Sequence, residues 1–387
     1  MPRLLWLFSL VNLVVGTGAF VLGGIVAPLA ADLGVSVATA GQAMTAYALS
    51  TALLAPLVLM ATGTWPRKRA LLLGLAVFAA GNVLCALAQS LAVLLVGRVL
   101  MGLGAVFTPI AAGIAVSMVE PARRGQALAF VFLGISLAYV VGVPLGAWLG
   151  LQYGWHVPIW LVVALCGPAI VAVLLWVPAR IDAPGATFAG LGPLLARRDV
   201  LAVLLLTLLY FVAIFAVFAY IGPVLQALVP MSGLRLSLTL ALFGLSGVVG
   251  TLLGGAANDR FGSRRTLAVQ LSVLGCTMAL LPLTAGSWPV LMLVLLAWGT
   301  AGFGMMAPQQ SRLAALAPLQ APMLLSLNTS MLYLGMAGGA IVGGALTSSL
   351  GFQQLSWAGL PFVAAGLVVL WLVPTLLPST TVKERSA

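Results

Sequence analysis

Charge is what this sequence lacks most. Only 6% of its 387 residues are Asp, Glu, Lys or Arg, whereas 63% are hydrophobic. A soluble domain carries about 25% charged residues, and a water-exposed fold of this composition would show large apolar patches to solvent. Six acidic residues and one histidine leave no nucleophile–base pair and no metal-ligand set to assemble, which argues against an enzyme, a metal site or a cofactor. The three cysteines, Cys85, Cys166 and Cys276, lie far apart inside apolar runs. They read as buried, inert thiols rather than a disulfide or metal site.

What is present points to a bilayer. Mean hydropathy is +1.20, and 44 glycines suit helices that approach closely in lipid. The net charge of +11 would suit nucleic acid, but the cations sit in short clusters between long apolar runs. That is the pattern of membrane topogenesis, and no nucleic-acid partner is expected. The opening MPRLLWLFSL begins an apolar stretch that continues to about Ala30, beyond a signal-peptide core of about 7–15 residues. It reads as a retained first span.

A span needs about 20 mostly apolar residues. Twelve runs qualify: 5–30, 37–62, 70–88, 91–118, 125–150, 156–177, 200–228, 235–257, 265–284, 288–311, 323–349 and 355–377. They do not alternate as barrel strands do. The expected fold is all-α and integral to the membrane, with twelve transmembrane helices.

Cation placement orients them. Arg3, Arg67-Lys68-Arg69, Arg123-Arg124, Arg180, Arg197-Arg198, Arg260, Arg264-Arg265, Arg312, Lys383 and Arg385 fall on one side. Only Arg98 and Arg235 stand outside that set, and the opposite side offers little beyond Asp32 and His156. Both termini are therefore expected in the cytoplasm, in a multi-pass protein of a bacterial inner membrane. The basic clusters are placed to meet anionic lipids, and a monomer is expected. Residues 179–199, ARIDAPGATFAGLGPLLARRD, read as a cytoplasmic linker between six-helix bundles at 1–178 and 200–387, the second ending in a short cytoplasmic tail.

The chain also resembles itself. Shifted by 196 residues, PRKRALLLG at 66–74 falls on GSRRTLAVQ at 262–270. Shifted by 197, Gly142, Gly146, Gly154 and Trp155 fall on Gly339, Gly343, Gly351 and Phe352. Two landmarks sharing nearly one offset indicate duplication, and a parallel repeat places a substrate site at the interface of the halves near the midplane.

Residues 254–265, GGAANDRFGSRR, resemble the loop signature of the major facilitator superfamily. In that reading Gly262 permits a tight turn, Arg260, Arg264 and Arg265 join Arg67 and Arg69 at a cytoplasmic gate, and Asp259 latches the helix ends in one state. Arg98-Val-Leu-Met-Gly102-Leu-Gly104 is similar to the fourth-helix signature. Gly142-Val-Pro144-Leu-Gly146 is similar to the fifth-helix signature of antiporters, which implies a fifth-helix gate at Gly142, Pro144 and Gly146. Ser326-Leu-Asn328-Thr-Ser330, with Gly335 and Gly343-Gly344, resembles the eleventh helix of arabinose-efflux-like exporters, the drug:proton antiporter branch. The resemblance implies a secondary active transporter that exports a small amphipathic or anionic drug or metabolite by alternating access.

Departures from the family pattern bear on coupling. The repeat puts Gly63 where Asp259 sits, so the first half lacks the acidic latch. Met101 stands where the fourth-helix signature often has Gln, and the first helix reads Val15-Gly16-Thr17-Gly18-Ala19-Phe20 where relatives often carry an acid. No acidic residue lies deep in a span, although proton-driven exporters use a buried carboxylate. Asp32 and His156 are the remaining proton-site candidates, each with a plain boundary role as its alternative. A facilitative uniporter, and a non-transporting membrane sensor or scaffold, stay open as other readings.

Arg98 is the one charge expected well inside the bilayer, where it needs partners. It either binds helix carbonyls near the first span or attracts an anionic or carbonyl-bearing substrate. Asn12, Phe20, Tyr47, Tyr139, Tyr210, Phe218, Trp298, Asn328 and Tyr333 are the other candidates to line a central cavity, each with helix packing as its alternative. Met305-Met306, with no His or Cys nearby, reads as gap-filling.

Overall fold

The computed structural model describes residues 3–120, 123–179, 181, 191–317 and 320–372. Among these are α-helices with short 3-10 and π turns, and no strand. Eleven helical stretches are long and apolar enough to cross a membrane, and the last, Met323–Leu372, breaks at Gly351 with φ 67° and ψ 170°. That break makes twelve passes. Gly154, with φ 97°, makes the corresponding break between Gln126–Tyr153 and His156–Trp176. Both glycines adopt the left-handed region that a side chain would strain, and they stand at the 197-residue offset read from the sequence.

The first, fourth, seventh and tenth spans are not single helices. They split into Arg3–Phe20 and Leu22–Asp32, Leu91–Gly104 and Phe107–Ser117, Arg198–Phe218 and Ile221–Leu228, and Trp288–Gly304 and Met306–Leu316. In the last three, Pro109, Pro223 and Pro308 follow the break, so each ring meets the carbonyl four residues back, at Ala105, Ala219 and Gly304. The first break, at Val21, has no proline at that distance. Two further prolines, Pro56 and Pro144, stand just after π turns at Ser50–Leu54 and Ala138–Gly142, where an extra residue absorbs the missing N–H.

Close approach of small residues joins the spans within each half. Gly142, Gly146 and Gly150 of the fifth span lie against Thr17, Val21 and Ile25 of the first. In the second half Gly335, Gly339 and Gly343 of the eleventh span lie against Phe211, Val212 and Ala216 of the seventh. Thus the glycines of the sequence repeat perform one packing task twice. Of the cysteines, Cys85 and Cys166 are buried but Cys276 is exposed. This corrects the reading of all three as buried, because an apolar run does not say which helix face looks outward.

The two halves meet where the second span packs on the eleventh, the fifth on the eighth, and the outer piece of the first on that of the seventh. Side-chain hydrogen bonds across that boundary are Tyr220 Oη to Ala38 O at 3.4 Å and Ser237 Oγ to Pro144 O at 2.8 Å. Both belong to the end away from the cationic clusters. At the cationic end, Leu194 of the linker and Val200, Val203, Leu204, Leu313 and Leu324 of the second half form a separate apolar cluster. Residues 180 and 182–190 of the linker, with Arg180 and Asp182, lie outside the described residues, as do Lys383, Glu384 and Arg385. At its described end Arg197 binds the Asp199 carboxylate at 2.7 Å.

Candidate functional site

Midway along the spans, aromatic rings from both halves form one connected seam. Phe20 of the first span stacks on Tyr139 of the fifth at 4.7 Å. Tyr139 then meets Phe218 at 5.6 Å and Phe303 at 4.9 Å, both from the other half. Phe243 continues the seam to Trp298 at 5.2 Å, and Phe215 lies 5.4 Å from Phe218. A second bridge is Tyr47 against Tyr333 at 6.2 Å. Phe20, Phe218 and Trp298 are buried, whereas Tyr139, Phe303 and Tyr333 keep partly exposed faces. The Trp298 indole N–H is buried and has no acceptor among the described residues. Offset and edge-on ring pairs of this kind contribute about 0.5–1.5 kcal/mol each beyond simple burial.

Arg98 lies beside the seam, fully buried, and its guanidinium is occupied. It donates to Gly18 O at 2.8 Å, Ala19 O at 2.8 Å and Ala43 O at 3.1 Å. Its face covers the Tyr47 ring at 4.7 Å. Gly18 and Ala19 carry carbonyls left poorly served by the break at Val21, so the fork ties the first, second and fourth spans together. Carbonyl dipoles and a ring face, rather than a carboxylate, offset the cost of burying this cation.

Asn12 and Asn328 turn out to mark a matched pair of polar nodes. Asn12 donates to Val131 O at 3.0 Å and accepts from Thr108 at 2.7 Å. In the second half Thr207 donates to Asn328 at 2.5 Å, and Gln309 donates to Thr207 at 2.9 Å. Residues 12, 108 and 131 correspond to 207, 309 and 328 at offsets of 195, 201 and 197. Each node joins three helices of one half, which places both asparagines in helix–helix bonds. Tyr210 is buried against Phe211, ring centroids 4.9 Å apart.

The cationic end is not latched. Asp259 is exposed and forms no ion pair among the described residues; its carboxylate accepts only from Asn258, at 3.4 Å. Arg264 lies over Trp371 at 4.7 Å, Arg260 over Phe261 at 5.3 Å, and Arg265 and Arg69 are exposed. Arg67 is buried and donates to Gly63 O, so the position equivalent to Asp259 supplies a backbone carbonyl instead. Gly262, with φ 79°, caps the helix that follows it.

Asp32 and His156 each touch Trp155, at the rim, and not one another. The Trp155 indole N–H donates to Asp32 Oδ2 at 2.8 Å, and the His156 ring lies 3.7 Å from the Trp155 ring. Asp32 is exposed, and the cluster ties the end of the first span to the start of the sixth. Phe215, Phe243, Phe303, Thr207, Gln309 and Tyr220 were not singled out from sequence. Phenylalanines are spread over eight of the twelve spans, so residue type alone marks no seam, and Gln309 and Tyr220 show their roles only once helices are placed. The repeat offset of 196 to 197 sets Leu208 or Leu209 opposite Asn12 and Gly304 or Met305 opposite Thr108, so it does not point to Thr207 or Gln309.

A twelve-pass helical bundle with an aromatic seam between two matched halves defines a membrane carrier. The family model of the Major Facilitator Superfamily matches residues 8–318 and again 232–387, and this chain belongs to that superfamily. It is 33% identical to a chloramphenicol resistance protein of Streptomyces lividans, over 100% of this chain and 98% of the relative. It is 31% identical to the inner membrane transport protein YdhP of Escherichia coli (strain K12), over 92% of this chain and 91% of the relative. Among solved structures it resembles a bacterial homologue of the human lysosomal transporter Spinster, in an inward-facing and occupied conformation. There the TM-score is 0.81 at 18% identity, covering 97% of both chains. The protein is a transporter of small molecules and not an enzyme.

Proposed function

We propose that the chain exports a small, neutral, amphipathic solute bearing an aromatic or similarly flat group, by alternating access at the seam. One observation carries this reading: the seam offers ring faces from both halves while its neighbouring charge, Arg98, is consumed by three carbonyls. An anion entering there would find no free cation, whereas an apolar ring finds partners on both sides. The unpartnered Trp298 N–H supplies a donor for a carbonyl or hydroxyl oxygen of the solute. The chloramphenicol resistance relative supports export and a compound of this kind.

In this reading the structure is the state closed at the cation-poor end, where Tyr220 and Ser237 bond across the halves, with Asp259 released at the other. The cationic end faces the cytoplasm of a bacterial inner membrane with both termini on that side, as the charge distribution and the Escherichia coli relative support. Arg69, Arg260, Arg264 and Arg265 are exposed there to meet anionic headgroups, and the carrier works as a monomer. Among the described residues no carboxylate lies in the seam, and in this reading the solute gradient drives movement and the protein is a facilitative carrier.

Counterflow in proteoliposomes tests the proposal. With chloramphenicol inside, labelled chloramphenicol outside should accumulate transiently and saturably, and a carboxylated aromatic compound should compete poorly. Saturable flux of the anion that disappears with Arg98→Gln would overturn the neutral-substrate reading.

A further inference from the structure

Arg235 is the one cation of the described cation-poor end that lies outside the bundle core, at the start of the eighth span. Its guanidinium lies 5.6 Å from the Trp288 ring, and no carboxylate pairs with it among the described residues. Trp288 is fixed in turn, since its indole N–H donates to Thr239 Oγ1 at 3.1 Å. Arg and Trp side by side at a span terminus is the chemistry of a headgroup layer, where the ring sits at the interface and the cation reaches phosphate.

Inward from this pair runs a groove of about 540 Å³. Its wall is Leu234, Leu238, Ala241, Leu242 and Leu245 of the eighth span, with Val140 of the fifth span opposite. The four leucines are exposed, at 58%, 53%, 38% and 49%, and follow one another on a single helix face. From Leu234 to Leu245 the helix rises about 16 Å, close to half the roughly 30 Å hydrocarbon core. The groove is therefore one leaflet deep, capped by a cation at the depth of the headgroups.

The geometry points to a phospholipid site of the outer leaflet, with the phosphodiester on Arg235 and one acyl chain along Leu234, Leu238, Leu242 and Leu245. Length, apolar wall and the single unpaired cation all fit that occupant. A soluble anion would use only the cation and leave the groove unfilled. Because Val140 belongs to the first half and the other walls to the second, the site spans the boundary between the halves.

Native mass spectrometry of the delipidated full-length carrier, titrated with phosphatidylglycerol, tests this. Wild type should retain one lipid more than Arg235→Gln at equal lipid concentration. Leu238→Trp, which fills the groove but keeps the cation, should lose the same lipid. Both positions are exposed, so the variants should elute as wild type, and a thermal-shift series should repeat the ranking. Glycerol phosphate, which has the phosphate but no chain, should give no shift. Equal lipid retention by wild type and both variants, or a shift with glycerol phosphate that matches the lipid, would overturn the site.

Discussion

The ring of Tyr220 is seated against the backbone of Gly41, across the boundary between the two halves. A Cβ at Gly41 would overlap that ring, and one at Gly344 would meet the hydroxyl oxygen at 2.6 Å. The hydroxyl donates to Ala340 O at 2.9 Å, with Ala38 O as a second acceptor at 3.4 Å. One residue at the break of the seventh span thus touches the second and eleventh spans together. Tyr220 is placed to hold the cation-poor end shut.

Gly41→Ala should therefore favour the arrangement open at that end, because the ring cannot keep its seat. Tyr220→Phe should do so less, since it keeps the ring and loses a hydrogen bond of about 0.5–1.5 kcal/mol. Reactivity of Ala38→Cys toward a membrane-impermeant thiol reagent reads this out. The expected order is Gly41→Ala above Tyr220→Phe above wild type, and equal labelling would refute the latch.

Arg98→Lys should destabilise the carrier without changing which substrate charge it prefers. A lysine cannot reach Gly18, Ala19 and Ala43 carbonyls in one plane, and each lost charged bond is worth about 1.5–3 kcal/mol. Thermal unfolding and a competition panel of neutral and anionic solutes separate the two effects. Normal stability with altered charge preference would assign Arg98 to the substrate.

At the seam, Tyr139→Ala should raise KM for an aromatic solute several-fold, and Tyr139→Phe should leave it close to wild type. The ring supplies the interaction in this reading, and a pair of rings is worth about 0.5–1.5 kcal/mol. An equal loss in both variants would give the role to the hydroxyl instead.

The two polar nodes should respond alike. Asn12→Ala and Asn328→Ala each leave buried partners unsatisfied, at a cost of about 1–3 kcal/mol, so both should lower the unfolding temperature. KM should stay within twofold of wild type. A large KM change for one asparagine alone would place it at the solute.

Imposing a pH gradient across the liposome should not accelerate flux. Among the described residues Asp32, Glu120 and Asp259 are exposed and Asp199 is paired with Arg197, so none is positioned to change its proton as the seam opens. Gradient-driven accumulation lost in Asp32→Asn or His156→Gln would instead assign coupling to the rim pair.

The span positions were legible because a hydrocarbon core selects for apolar length, and length is local in sequence. So was the repeat at Gly154 and Gly351, where a left-handed turn demands glycine in both copies. The aromatic candidates Phe20, Tyr139, Phe218 and Trp298 could be named from composition. Their assembly into one seam could not, since Tyr139 and Phe303 are 164 residues apart and meet only across the halves. Nor does hydropathy reveal broken spans, because a helix interrupted at Val21 or Met305 is as apolar as a straight one. The prolines at 109, 223 and 308 carry that signal, because each ring meets the carbonyl four residues before it.

By itself the sequence determined the environment, the number of crossings and the duplication, all consequences of apolar length and repeated glycines. The tertiary structure decided what the few polar groups do. Arg98 could have served a substrate or the scaffold as far as its type and depth could tell. Three carbonyls from two other spans occupy it, and that outcome depends on helix placement that no local pattern encodes.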